Sequence, residues 1–301
     1  IVLVASYDLM LGYGGIVSFA HTMFFGLGAY GVALASVHMG RGYDALAVGA
    51  LAGALAAALL ALLIGLFSLR VRAIFFAMIT LAVASAVAVL VSQLSGLTGG
   101  EDGLNYSIPR DLTPALRLGE VMGVKITGKI LNYYLVFFAS LALFLMLLRV
   151  VNSPFGRVLQ AIRENDFRAE AIGYRVVWYR SAATCLSAAV AALAGSLFAI
   201  WLRYVGPDTT LSFEIMLDIL LMVVIGGMGT MYGAVVGVTL FVLAQNYLQN
   251  LMGVASEATS GLPLIPDLLN PDRWLLWLGV LFILSVYFFP TGIVGRLRGG
   301  R

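Results

Sequence analysis

Charge is what this chain has least of. Only 11% of its 301 residues are Asp, Glu, Lys or Arg, where soluble domains carry roughly a quarter. Lysine is scarcest: Lys125 and Lys129 are the only two. No G-x-x-x-x-G-K-[ST] stretch occurs, which excludes a nucleotide-cradling loop of that kind. The lone Cys185 excludes an internal disulfide and, among small apolar neighbours, reads as a packing residue. The two histidines, His21 and His38, have no cysteine or carboxylate at ligand spacing, so no metal centre or acid–base set is legible. GLGAYG (26–31) matches a dinucleotide-loop pattern by letter, with Asp44 downstream, but no strand precedes it and it lies in an apolar run. LSGLTGG (94–100) resembles an ATPase signature loop only by eye and sits at the end of an apolar segment.

What is abundant is apolar surface: 61% of residues are hydrophobic and the mean hydropathy is +0.99. The excess falls in continuous runs, at 45–69, 73–92, 131–148, 182–202, 211–225, 233–252 and 274–289. About 18 or more apolar residues suffice to cross a bilayer core of roughly 30 Å as helix. The fold expected is an all-α, polytopic membrane bundle, read as one domain over 1–301. Its segments are placed at 1–11, 16–38, 44–69, 71–92, 131–150, 179–202, 211–228, 231–252 and 273–291, about 8–9 in all. The first is a stub that opens at Ile1 inside an apolar run, so an upstream segment is expected.

Four polar stretches separate these runs: loops 93–130 and 253–272, the stretch 151–178, and a basic tail at 292–301. If 149–180 faces the cytoplasm, helix parity puts Arg70, Arg72, Arg296, Arg298 and Arg301 on the same side. That places eleven of the eighteen basic residues inside, as the positive-inside rule requires, with 93–130 and 253–272 outside.

Residues 152–175, NSPFGRVLQAIRENDFRAEAIGYR, gather seven formal charges in a chain that has few. Ser153 can cap a helix and Pro154 suits its first position. Val158, Ala161, Ile162 and Ala169 recur at helical spacing. The stretch therefore reads as a short amphipathic helix interrupted at Gly173. It is either a solvated loop whose arginines fix topology or a helix that docks in a groove of a soluble partner.

At this point the residues resemble a known family. GYGGIVSFAHTMFFGLGAYG (12–31), LRVRAIFFAMITLA (69–82), TGGEDGL (98–104), SPFGRVLQAIRENDFRAEAIGYRVVWYR (153–180) and SFEIMLDILLMVVIGGMGTMYGAVVG (212–237) are similar, in order, to the LivM-type inner-membrane permeases of branched-chain amino acid ABC importers. The resemblance implies a multi-pass subunit of the bacterial inner membrane with a cytoplasmic C-terminus, itself non-catalytic and without a bound cofactor. Its implied partners are a second, LivH-like permease, two cytoplasmic ATPases that carry ATP and Mg, and a periplasmic binding protein; no nucleic acid is involved. It also implies that 153–175 docks on the ATPase, through Pro154, Phe155, Arg157, Ile162, Arg163, Glu164, Asp166, Arg168, Glu170 and Gly173. Ala169-Glu170-Ala171 with Gly173 fits the general importer motif loosely. Relatives that import urea or short amides leave the substrate open, and an ion-coupled secondary transporter is the rival class.

Two glycine-rich stretches, Gly12-Tyr13-Gly14-Gly15 and Gly226-Gly227-Met228-Gly229, are expected to interrupt helices inside the bilayer. They serve either tight packing or a translocation cavity lined by discontinuous helices. Gly14, Gly15, Gly226, Gly227 and Gly229 are the path candidates on this reading. His21 lies in a membrane segment and reads equally as pore-lining or as hydrogen-bonded between helices. Glu214 and Asp218 lie four apart on one helix face and are candidates for a structural or gating role.

Overall fold

The computed structural model describes residues 1–68, 73–114, 116–121, 124–258, 270–288 and 292–298. Arg70, Arg72, Pro263, Pro266 and Arg301, which bear on the loops and the orientation, lie outside the described residues. The described chain falls into two compact units, Val2–Leu217 and Asp218–Arg301, the second also taking Ile1.

A segment in hydrocarbon must satisfy its own backbone groups, so the apolar runs fold as helices. In the first unit these are α1 (Val2–Asp8), which continues as a π-helical turn over Leu9–Tyr13, then α2 (His21–Met39), α3 (Tyr43–Ser68), α4 (Ala73–Gln93) and α5 (Gly128–Val151). Two short helices come next, α6 (Pro154–Glu164) and α7 (Asp166–Ala171), and then α8 (Val176–Leu202). The boundary between the units falls within α9 (Phe213–Gly226), and the second unit continues with α10 (Met231–Ala258), α11 (Trp274–Phe288) and α12 (Gly292–Arg298). Seven helical stretches among the described residues are long and apolar enough to cross a membrane. The expected first and last segments are shorter: α11 has 15 residues, about 22 Å at the helical rise.

Lipid is as apolar as leucine, so membrane helices associate through close packing of small residues rather than through burial from water. The heart of the first unit shows this. α2, α3 and α8 pack pairwise, and glycines set the spacing. A Cβ at Gly28 of α2 would lie 1.7 Å from the Ala192 carbonyl oxygen of α8. One at Gly31 would lie 2.5 Å from the Gly49 carbonyl oxygen of α3, and one at Gly195 would lie 1.9 Å from that of Phe25. By contrast, Leu51, Leu55, Leu59 and Leu63 form an exposed stripe along α3 at four-residue spacing, the surface expected of a helix flank turned to lipid or to another membrane subunit.

To the all-α expectation the structure adds two small ladders, one within the loop read as 93–130 and one between that loop and the end of α8. β1 (Leu104–Asn105) pairs antiparallel with β4 (Tyr204–Val205), with Leu104 opposite Val205, and β2 (Arg117–Val121) pairs with β3 (Val124–Thr127). The first ladder ties this loop to the end of α8. Tyr106, Ile108 and Leu112 are buried there against α2 and α8. Tyr106 donates its hydroxyl to the Ala199 carbonyl at 2.6 Å, and burial pushes its phenol pKa up.

Candidate functional site

The charged stretch lies beside the start of α8, at the opposite end of that helix from the β1–β4 ladder. Pro154 occupies the first turn of α6, as the sequence implies. Ser153 stands at the N-cap position, but its hydroxyl donates to the Val150 carbonyl at 2.6 Å instead of capping. Gly156 is required by contact: a Cβ there would lie 2.0 Å from the Val151 carbonyl oxygen. The buried face of α6 is Gly156, Leu159 and Ile162, and the Phe155 ring stacks on Tyr179 with centroids 5.8 Å apart.

The expected single helix is corrected to two. Asn165 adopts an extended conformation, and its side-chain oxygen accepts the Arg168 N–H at 2.9 Å, so it ends α6 and caps α7. An asparagine that bonds to nearby backbone competes with helix continuation. Gly173 does not interrupt that helix; it comes after the end of α7 with φ of +96°, a left-handed conformation that glycine adopts without cost.

Among the expected docking residues, Pro154, Arg157, Glu164, Asp166, Arg168, Glu170 and Gly173 are exposed, and Phe155 is half-buried. Asp166 also sits 3.7 Å from the Arg180 guanidinium. Two residues of the set turn inward. Ile162 is buried with Ala169 and Val176. Arg163, although partly exposed, donates from Nη1 to the Gly12 carbonyl. The large apolar side chains that do face outward, Phe167 at 84% exposed and Ile172 at 69%, were not singled out in the sequence. Their signal is that they fall off the Leu159–Ile162–Ala169 stripe.

Arg163 reaches the first of the two helix interruptions. The π-helical turn ends at Tyr13, Gly15 has φ of +66°, and helix resumes only at His21. The Arg163 stem packs on this turn, with its Cγ 3.1 Å from where a Gly15 Cβ would be. Further along, the Phe19 N–H donates to Thr80 Oγ1 of α4 at 3.0 Å. His21 is fully buried, with Nε2 2.9 Å from Ser6 Oγ of α1. Ser187 of α8 donates to the Ser6 carbonyl at 2.5 Å. Of the two readings of His21, the geometry is that of a hydrogen bond between helices.

The second interruption lies in the other unit. Gly227 and Gly229 have φ of +117° and +81°, and Thr230 donates to the Gly227 carbonyl at 2.8 Å. Here α9 and α10 meet glycine to glycine. A Cβ at Gly226 would lie 1.9 Å from the Gly233 carbonyl oxygen, and one at Gly237 would lie 1.9 Å from that of Met222. Asp218 lies one turn beyond Glu214 on α9 and is half-buried; Glu214 is exposed.

Within the first unit a cavity of about 470 Å³ opens between the start of α2, the C-terminal half of α4 and the turn that leads into α9. Phe19, Thr22, Ser85, Glu101, Asp208 and Ser212 are among the residues that line it. None of the sequence-derived path candidates lines it, yet Thr22 adjoins His21 and Phe213 adjoins Glu214. The signal missed was the set of isolated hydroxyl residues within apolar runs.

The family model described as branched-chain amino acid transport system / permease component matches residues 1–286. The high-affinity branched-chain amino acid transport system permease protein LivM of Salmonella typhimurium is 27% identical over 306 residues, covering 96% of this chain and 64% of that protein. LivM of Escherichia coli is 26% identical with the same coverage. A probable branched-chain amino acid transport permease protein LivM of Methanocaldococcus jannaschii is 27% identical over 229 residues, 75% of this chain and 61% of that protein. The chain thus spans just under two thirds of the length of these relatives. No solved structure matches it.

Proposed function

Since this chain belongs to the branched-chain amino acid transport system permease family, we propose that it is a transmembrane subunit of an ATP-driven importer and forms part of the path for branched-chain amino acids. On this reading ATP and Mg are handled by partner ATPases. A second permease and an external binding protein complete the assembly, and the arginine-rich stretch and the C-terminus face the cytoplasm.

The observation that carries the reading is the α6–α7 element. It offers two exposed apolar side chains, Phe167 and Ile172, among mixed charges, and it is joined through Arg163 to a break in a membrane helix. Exposed apolar side chains among charges fit a groove on a soluble protein, the charges setting register and the apolar contacts supplying affinity. Motion of a docked partner then has a direct route to the Gly12–Gly15 turn.

The test is the double substitution Phe167→Asp, Ile172→Asp. Both side chains are exposed, so folding stability should stay within about 0.5 kcal/mol of the parent. Co-purification of the ATPase and ATP-dependent leucine uptake should both be lost. Retained co-purification would refute the docking role. Leucine uptake by the purified chain alone in liposomes, driven by an ion gradient without ATP, would replace the importer reading with that of a secondary transporter.

A further inference from the structure

Membrane transporters often aim the amino ends of discontinuous helices at the anionic group of a substrate. Two helices begin at the cavity of the first unit: α2, 19 residues long, at His21, and α9, 14 residues long, at Phe213. The Phe19 and Phe213 rings, one just before α2 and one at the start of α9, lie 6.0 Å apart, so the two starts converge. Each first turn has N–H groups without intrahelical partners and a partial positive charge; at α9, where Glu214 stands in the first turn, the Ser212 hydroxyl accepts one of them, the Glu214 N–H, at 3.1 Å.

An independent observation points to a ligand at the same place. Thr22 lines the cavity and is only 2% exposed, and its hydroxyl has no hydrogen-bond partner among the described residues. Its hydroxyl can both donate and accept, so a group bound in the cavity can pair with it. The rest of the lining is asymmetric. Glu101 and Asp208 enter from two different connections, no lysine or arginine among the described residues lines the cavity, and Leu81, Ala88 and Leu211 supply apolar wall.

We propose that this cavity receives an aliphatic α-amino acid as its zwitterion. The ammonium lies toward Glu101 and Asp208, the carboxylate toward Thr22 and the amino ends of α2 and α9, and the side chain along Leu81, Ala88 and Leu211. The volume of about 470 Å³ lies within the range of small-molecule sites, about 300–1,000 Å³. A neutral amide would use neither charged end. The inference rests on the proposed function and names the substrate contacts of that path.

The experiment uses the assembled transporter in proteoliposomes with saturating leucine-loaded binding protein. Glu101→Gln with Asp208→Asn, and separately Thr22→Val, should each lower leucine uptake at least tenfold while the binding protein stimulates ATP hydrolysis as before. Unchanged uptake overturns the proposal. A raised half-saturating concentration of binding protein, with stimulation and uptake falling together, also overturns it and assigns the carboxylates to docking of that protein. Independently of these variants, Ser85→Cys in a Cys185→Ala background should react with a membrane-impermeant cationic thiosulfonate, and turnover with leucine should slow the reaction. A thiol that the reagent does not reach means that lipid or another subunit covers the cavity, which overturns the proposal. Wild-type transporter that imports no leucine refutes the proposed function instead, a result these variants do not mimic.

Discussion

Two glycine-rich turns interrupt membrane helices in this chain, and they are held by opposite means. The turn at Gly12–Gly15 is fastened by side chains from far along the sequence: Arg163, 151 residues away, holds the Gly12 carbonyl, and Thr80, 61 residues from Phe19, accepts its N–H. The turn at Gly226–Gly229 is fastened by backbone packing, with Gly226 and Gly237 pressed against backbone carbonyl oxygens of Gly233 and Met222 and Gly292 pressed against the Gly227 backbone. A turn held by side chains can shift when their own element moves. One held by backbone contact has no slack, because interiors packed at that closeness do not deform continuously. The difference suggests that the first turn receives motion and the second resists it.

The sharpest test of that contrast is steric. Gly226→Val would force a branched side chain into a gap of 1.9 Å against backbone, and overpacking of that kind costs about 3 kcal/mol or more. A Gly15→Ala variant meets only the flexible Arg163 stem at 3.1 Å, plus the left-handed backbone cost of about 1–2 kcal/mol. Thermal melts in detergent should rank Gly226→Val well below Gly15→Ala. Equal losses would abolish the distinction between the two turns.

Next in size is Arg163→Ala. The charged hydrogen bond to the Gly12 carbonyl is worth about 1.5–3 kcal/mol. Its loss should cut ATP-dependent uptake roughly tenfold while the ATPase still co-purifies, since the apolar face formed by Phe167 and Ile172 is untouched. Arg163→Lys should fall between, because an ammonium is a single point charge on a different stem. If ATPase binding is lost together with uptake, Arg163 acts at the partner surface and not as the link to the turn.

The smallest effects come from matched damage to the two turns, with unequal results for transport. Thr80→Val leaves the Phe19 N–H without its acceptor, and Thr230→Val removes the hydroxyl bond to Gly227. Each should cost about 1 kcal/mol of stability. Only the Thr80 variant should change uptake per ATP hydrolysed, a ratio measured by scintillation counting and phosphate release on the same vesicles.

Much of this was legible in the sequence. Continuous apolar runs mark helices because hydrocarbon leaves the backbone no other option. Both interruptions were visible because glycine clusters punctuate apolar segments. The α6–α7 element stood out as charge in a chain almost without it. What stayed hidden depends on residues that are distant in sequence. Nothing local in Arg163 shows that it turns toward Gly12, and nothing in Leu104 shows that it pairs with Val205. The split at Asn165 was hidden for a different reason, since its side chain chose a backbone N–H three residues on over continuation of the helix. The cavity is the extreme case: Thr22, Glu101 and Asp208 meet only once the helices are packed.

The closeness of α2, α3 and α8 also constrains movement. Where a single methyl group on Gly28 or Gly195 would collide with a neighbouring carbonyl, there is no room for one helix to slide or rock against another. These three should travel as a solid block in every stage of turnover. Spin labels on the C-terminal ends of α2 and α8 should therefore read one unchanging separation, whether nucleotide is bound or not.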